Sequence, residues 1–234
     1  NTALASQSVA LGYKAVAGAL GADNKIAGLS SVSIGSYTKT KGSYSVAIGY
    51  NTTASTIGDI ALGNTATASG GGTVALGTQA QTNGLYAVAI GTNSAANSPS
   101  SVALGTNSTA SVSGSVAIGA GSVANRAAGV AGYDPSTKTT STKVDDSTWT
   151  STAAAVAVGD ADEGVTRQIT GVAAGSEDTD AVNVAQLRAA TLTAINTSAN
   201  TTTVTTDDPN LSVKSETVKL PITSEGEDPT PVAE

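Results

Sequence analysis

The residues that could do chemistry in this chain are few and widely spaced. It contains no histidine and no cysteine, so the usual general base, the thiol nucleophile and the soft metal ligands are missing. Two acidic clusters remain, Asp160–Asp162–Glu163 and Glu177–Asp178–Asp180. Carboxylates so grouped could hold a hard cation through oxygen, but the same residue types cap helices and close turns. Capping and solvation is the reading adopted. Two glycine-rich runs, GALGADNK (18–25) and ASGGGT (68–73), lack both the strand–turn–helix context and the Lys–Ser/Thr pair of a phosphate loop. Asn51, Asn107, Asn196 and Asn200 open Asn-x-Ser/Thr triplets, which a chain rich in Asn and Thr produces by chance. We therefore expect no catalytic residue, no cofactor and no metal. One stretch mixes aromatic and charged side chains: GYDPSTKTTSTKVDDSTWTST, beginning at Gly132, with Tyr133, Lys138, Lys143, Asp145, Asp146 and the only tryptophan, Trp149.

The elements that position such a stretch must be built from small residues. Of 234 residues, 26 are glycine, aromatics make up 3% and charged residues 12%, so large core-filling side chains are scarce. An apolar fraction of 39% still argues against simple disorder. A narrow, repetitive core of small and β-branched residues satisfies both facts. The net charge of −7 speaks against nucleic acid. No apolar run approaches the ~20 residues of a membrane-crossing helix. The chain opens at Asn1 without a methionine or a signal peptide and reads as a fragment of something larger.

Internal periodicity is the dominant signal. A five-residue unit recurs as SVSIG (31–35), SVAIG (45–49), DIALG (59–63), TVALG (73–77), AVAIG (87–91), SVALG (101–105) and SVAIG (115–119). The closing glycines are 14 residues apart throughout. A degenerate copy, AGALG, ends in phase at Gly21; SVALG at 8–12 is a clear copy out of phase; AVAVG at 155–159 follows 40 residues after Gly119. Each 14-residue unit reads as two short strands joined by tight bends, with Gly supplying one bend. Stacking the units in register gives a β-solenoid. Alternation along a strand separates Val46 and Ile48 from Ala47. Ala47, Ala61, Ala75, Ala89, Ala103 and Ala117 thus form a row opposite the branched residues, and both faces are apolar. One face can line the coil. The other requires a partner, and small side chains would let a neighbouring chain approach closely, so several chains are expected to pack side by side. Periodicity does not settle their number or which face points where.

These repeats are similar to the head of trimeric autotransporter adhesins of the YadA type. The segment TRQITGVAAGSEDTDAVNVAQLRAA (166–190) resembles that family's neck, with DAVNVAQL (Asp180 to Leu187) its most specific part. The resemblance covers about residues 4–196. It implies a left-handed parallel β-roll, three parallel chains, and a place on the surface of a Gram-negative bacterium. Membrane anchoring would come only from a C-terminal region outside this sequence. The organisation is then a head of 14-residue repeats over 1–131, a segment at 132–153 resembling the family's head insert, a last head strand at 154–165, a neck at 166–187, the start of a coiled coil at 188–200, and a connector, further domain or tail at 201–234. The insert has two readings: a projecting ligand-contact element, or a cap over the solenoid end anchored by Trp149, which is the one adopted.

After the repeats, Ser176, Glu177, Asp178 and Asp180 suit the first turn of a helix running from about Ala181 to Ile195. Val184, Leu187, Thr191 and Ala194 follow coiled-coil spacing. Asp180, Val182, Asn183, Val184 and Leu187 are the expected structural residues of the trimeric neck. Arg167 and Gln168 are candidates for contacts between chains or simply solvated. The function expected is a non-enzymatic adhesive head, binding host cells, extracellular matrix or other bacteria through three copies of each weak site. The alternative is a structural spacer that projects an adhesive domain lying elsewhere. An ice-binding solenoid would need Thr-x-Thr in one phase, which Thr38-Lys39-Thr40 and Thr65-Ala66-Thr67 do not keep.

Overall fold

The computed structural model describes residues 1–20, 26, 27 and 29–191. The chain divides into two units, Asn1–Gln168 and Ile169–Glu234. The first is a parallel β-solenoid whose coils contribute one strand to each of two nine-stranded sheets. One sheet holds the branched pentapeptides, from Val9–Leu11 through Val88–Ile90 to Val156–Ala157; the other holds two-residue strands, from Thr2–Ala3 to Val123–Ala124. Like stacks on like: Val46 on Ile60, Ala47 on Ala61, Ile48 on Leu62, Gly49 on Gly63. Each coil gives its amides to the next, as in Val46 N to Asp59 O (2.8 Å) and Val88 N to Ser101 O (2.9 Å).

The interior belongs to the small residues. Ala47, Ala61, Ala75, Ala89, Ala103 and Ala117 are wholly buried, facing Ala54, Ala68, Ala96, Ala110 and Ala124 of the other sheet. The alanine row is therefore not the surface a neighbouring chain approaches, as the sequence suggested. The two sheets lie too close for anything larger, and the branched residues turn outward. Buried hydroxyls fill the corners and give their protons to the bend carbonyls: Ser94 Oγ to Gly91 O at 2.9 Å, Ser108 Oγ to Gly105 O at 2.8 Å, Ser101 Oγ to Ser98 O at 2.6 Å. Thr40 and Thr82 replace alanine on the short strands, and their Oγ1 atoms are buried without a partner.

The recurrent glycine is dictated by coil-to-coil contact. Gly91 has φ +137°, and a Cβ there would lie 2.5 Å from the carbonyl of Gly105. No other residue both adopts that backbone and lets the next coil stack.

Two interruptions leave the stack intact. Val9–Leu11 pairs directly with Val32–Ile34, so the out-of-phase SVALG is a true coil. The in-phase AGALG is not: Ala19–Leu20 pairs antiparallel with Ile26–Ala27 as an excursion between coils. Likewise Val156–Ala157 pairs in parallel with Val116–Ala117, and the residues between leave and re-enter where Ala155 N meets Arg126 O at 3.0 Å.

In the second unit the helix spans Val184–Thr191, later than the expected start at Ala181. Asn183 is its cap: Asn183 Oδ1 accepts from Gln186 N (3.0 Å) and Gln186 Oε1 accepts from Asn183 N (3.2 Å), a reciprocal capping box. Asp180 instead closes the preceding turn, its Oδ2 accepting from Ser176 N (2.9 Å) and Glu177 N (3.1 Å). These bonds hold its pKa below the ordinary value. The expected continuation to Ile195 and the segment 201–234 lie outside the described residues.

Two stability predictions follow from this interior. Thr82→Val removes an unpartnered hydroxyl at constant volume and should raise stability by about 1 kcal/mol. Gly91→Ala should lower it by about 3 kcal/mol or more, combining backbone strain with overpacking. Urea unfolding followed by far-ultraviolet circular dichroism measures both.

Candidate functional site

Three surfaces are available for recognition. The first is the outward face of the branched strands. Ile60, Leu62, Leu76, Ile90 and Ile118 stand about two-fifths exposed, and Val46, Val74, Val88, Val102 and Val116 are half-buried beside them. Together they form an unbroken aliphatic stripe along the solenoid. Monomeric proteins rarely expose so continuous an apolar surface. Sequence reasoning found these residues but could not orient them, because a row of alanine and a row of valine and isoleucine are both plausible core faces.

The second surface comprises the bends. Two residues after each bend glycine the chain takes up a left-handed conformation, at Lys14, Tyr37, Asn51, Thr65, Gln79, Asn93 and Asn107 (φ +50° to +61°). Asn tolerates this well; the others are held there by the stack. The asparagines bond coil to coil, Asn93 Nδ2 to Asn107 Oδ1 and Asn83 Nδ2 to Asn97 Oδ1, both at 2.9 Å. Thr106 and Asn107 are exposed, while Ser108, next in sequence, is wholly buried.

The third is the insert. It contains a two-stranded hairpin, Tyr133–Asp134 with Thr139–Thr140, turning through Lys138 at φ +57°. Asp134 Oδ1 accepts from Ser136 N (2.8 Å) and Oγ (2.6 Å), which lowers the pKa of the carboxyl. Asp146 Oδ1 does the same with Thr148 Oγ1 (2.6 Å) and N (2.9 Å). Thr150 Oγ1 donates to Lys143 O (3.0 Å), and Gly132 N donates to Trp149 O (2.7 Å). The Lys143 ammonium lies 4.7 Å from the centre of the Trp149 ring, a cation–π contact that fixes both side chains. Lys143 and Trp149 are thus brought together. Tyr133 and Lys138 belong to the hairpin, Tyr133 being 65% exposed, and Asp145 is exposed without a described bond.

The remaining chemical candidates are consumed by the fold. Asp160 Oδ1 accepts from Asp162 N (3.2 Å), so it closes a turn where helix capping or solvation was expected. The glycine-rich run at 68–73 does hold an anion, but it is the chain's own: Asp59, wholly buried, accepts from Gly71 N (3.0 Å), Thr73 N (3.1 Å), Thr73 Oγ1 (2.8 Å) and Thr56 N (2.8 Å), besides Thr56 Oγ1. Sequence reasoning passed over Asp59. The signal was a charged residue at a position otherwise occupied by Ser, Thr or Ala. Arg167 was also misjudged. Its guanidinium donates to Val158 O, Ala120 O and Ser122 Oγ of its own chain, and it covers Gly119 where the next coil's glycine would lie.

Comparison with known proteins matches these features. The family described as YadA head domain repeat (2 copies) matches residues 27–52, 41–66, 54–78, 68–94 and 96–122, and the coiled stalk of trimeric autotransporter adhesin matches 168–210. The autotransporter adhesin BadA of Bartonella henselae is 60% identical over 62 residues, and the trimeric autotransporter adhesin AtaA of Acinetobacter sp. (strain Tol 5) is 61% identical over 62 residues. Each alignment covers 26% of this chain and 2% of the relative, so the chain spans a small fraction of their length. The crystal structure of the collagen-binding domain of Yersinia adhesin YadA aligns with 29% identity and a TM-score of 0.52, over 70% of this chain and 83% of that one. A solenoid of head repeats, followed by a neck and a matched stalk, identifies the chain as a member of the YadA-type trimeric autotransporter adhesins.

Proposed function

We propose that this chain is a non-enzymatic adhesive head, assembled as a homotrimer and displayed on the surface of a Gram-negative bacterium. The observation that carries the reading is the inversion of the coil: alanine inside, valine, isoleucine and leucine outside. A rod with that stripe is incomplete alone, and packing against two further copies would remove it from water. At about 25 cal/mol per Å² of apolar area, even a few hundred Å² per chain would contribute substantially. The exposed Val182, Val184 and Leu187 (69%, 65% and 59%) would serve the same purpose in the neck, with Asp180 and Asn183 fixing the backbone that carries them. The six alanines support the assembly indirectly, by setting the sheet spacing.

Attachment would then be to host extracellular matrix or a cell-surface receptor, or to other bacterial surfaces. The matched relatives are named adhesins, and the aligned Yersinia domain is named for collagen binding. Three copies of a weak site on one rod raise avidity without new contacts. The insert offers a combination of aromatic and cationic groups in exposed Tyr133, Lys138 and Lys143 and half-buried Trp149, flanked by Asp145 and Asp146. No helix among the described residues is long and apolar enough to cross a membrane.

Three outcomes are expected. Sedimentation equilibrium should give three chain masses, and Ile90→Asp with Ile118→Asp should give one while the β spectrum persists; an unchanged trimer would overturn the assignment of the stripe. Combined replacement of Tyr133, Lys143 and Trp149 by Ala should lower binding to immobilised collagen or host cells by about tenfold or more, at unchanged mass. Unaltered binding would leave the insert a structural element and favour the spacer reading. Asp134 and Asp146 have lowered pKa values, so their contribution is complete above the ordinary value of 3.8 and is lost as pH falls through the lowered one. Trp149 fluorescence should therefore hold steady down to that value and change below it, and Asp146→Asn should shift the transition.

A further inference from the structure

The first coils differ from the rest in aromatic and charge content. Tyr13, Tyr37 and Tyr50 occupy successive coils at the glycine bend. Their ring centroids are 5.4 Å and 5.9 Å apart, with planes crossed at 81° and 76°. Lys14 holds its ammonium 5.3 Å from the Tyr13 ring centre and 5.4 Å from that of Tyr37. Tyr13 is 60% and Tyr50 51% exposed. Core packing does not require these rings there, since the same bend carries Asn64, Thr78 and Thr92 farther along. Lys39 and Lys41 are exposed on the same coil as Tyr37. Among the described residues up to the ASGGGT run, the only carboxylate side chain is Asp59, which is buried and spends its oxygens on Thr56, Gly71 and Thr73. Among the described residues, a chain of net charge −7 thus concentrates ammonium groups, with no exposed carboxylate near them in sequence, beside an aromatic ladder at one end.

We infer that the Tyr13–Tyr37–Tyr50 ladder with Lys14 is a binding site for a glycan ending in an acidic sugar. A pyranose ring has an apolar C–H face that settles on an exposed aromatic ring, whose face carries partial negative charge. Its carboxylate takes a charge-assisted bond from an ammonium already held between two rings. The left-handed backbone at Lys14 and Tyr37 (φ +54° and +61°) is fixed by the coil stack, so little ordering cost falls on binding. The remainder of the chain selects against longer polyanions: Asp134, Asp145, Asp146, Asp160, Asp162 and Glu163 follow on later segments of the same unit. Repulsion acts on a long strand more than on a single terminal charge. This site is separate from the insert and stands whether or not the insert touches a ligand.

Saturation-transfer NMR and calorimetry on the intact protein test it, with sialyllactose as probe, lactose as the neutral control, and a heparin oligosaccharide and a single-stranded oligonucleotide as polyanions. Sialyllactose should bind about tenfold or more tightly than lactose. Tyr37→Ala and Lys14→Ala should each weaken it by about tenfold, with Lys14→Arg largely retaining it. Equal binding of lactose, no binding of sialyllactose, or tighter binding of either polyanion would overturn the proposal. So would an effect of Tyr37→Ala on oligomer mass instead of on sugar affinity, since the ladder would then be an interface between chains.

Discussion

The spacing between the two sheets governs the molecule. A coil of 14 residues that spends two bends on turning has only a few positions left to fill its interior, and alanine, serine and threonine are what fit. Nothing in that interior supplies the apolar area of an ordinary core. Stability must then come from the ladder of hydrogen bonds along the rod and from surface that the isolated chain leaves exposed. The outward valines and isoleucines are the complement of the inward alanines. A narrow alanine interior and an aliphatic exterior are two descriptions of one constraint.

That constraint explains which parts of the structure were legible in sequence. The period, the strand–bend alternation and the register were readable because stacked identical coils force identical residues to recur. The direction of the faces was not readable, because the usual expectation places the larger apolar residue inside, and here closeness of the sheets reverses it. Phase misled as well. AGALG keeps the 14-residue interval to Gly35 but lies on a hairpin, whereas SVALG at 8–12 breaks the interval and forms a coil. Spacing along the chain counts excursions; stacking in space does not. The helix start failed for a local reason: several residues before Val184 could cap it, and only Asn183 has a glutamine three residues on to return the bond.

The candidate site was legible in outline only. Trp149 and its charged neighbours stand out by composition, yet the pairing of Lys143 with Trp149 depends on hydrogen bonds that no spacing rule encodes. Asp59 and Arg167 show the opposite difficulty. Each looks like surface chemistry and is structural. Asp59 satisfies amides of the next coil, where a three-glycine run has no side chain to do so. Arg167 fills the position of a glycine carbonyl that the last full coil would otherwise leave open. A buried carboxylate is tolerated only with several donors, and a solenoid end only with a cap.

Fixing the interior so tightly frees the bends. Left-handed backbone costs a non-glycine residue roughly 1 kcal/mol, which normally restricts such positions to Gly and Asn. Here the neighbouring coils impose the conformation, so lysine, tyrosine, threonine and glutamine occupy the same place as asparagine. One column of the rod can thus carry aromatic and cationic groups at one end and an asparagine ladder at the other with no change in fold. The pentapeptides set where each side chain stands, and the bend residues set which groups the column presents to solvent. Separating the two lets a repetitive scaffold carry different surfaces along its length.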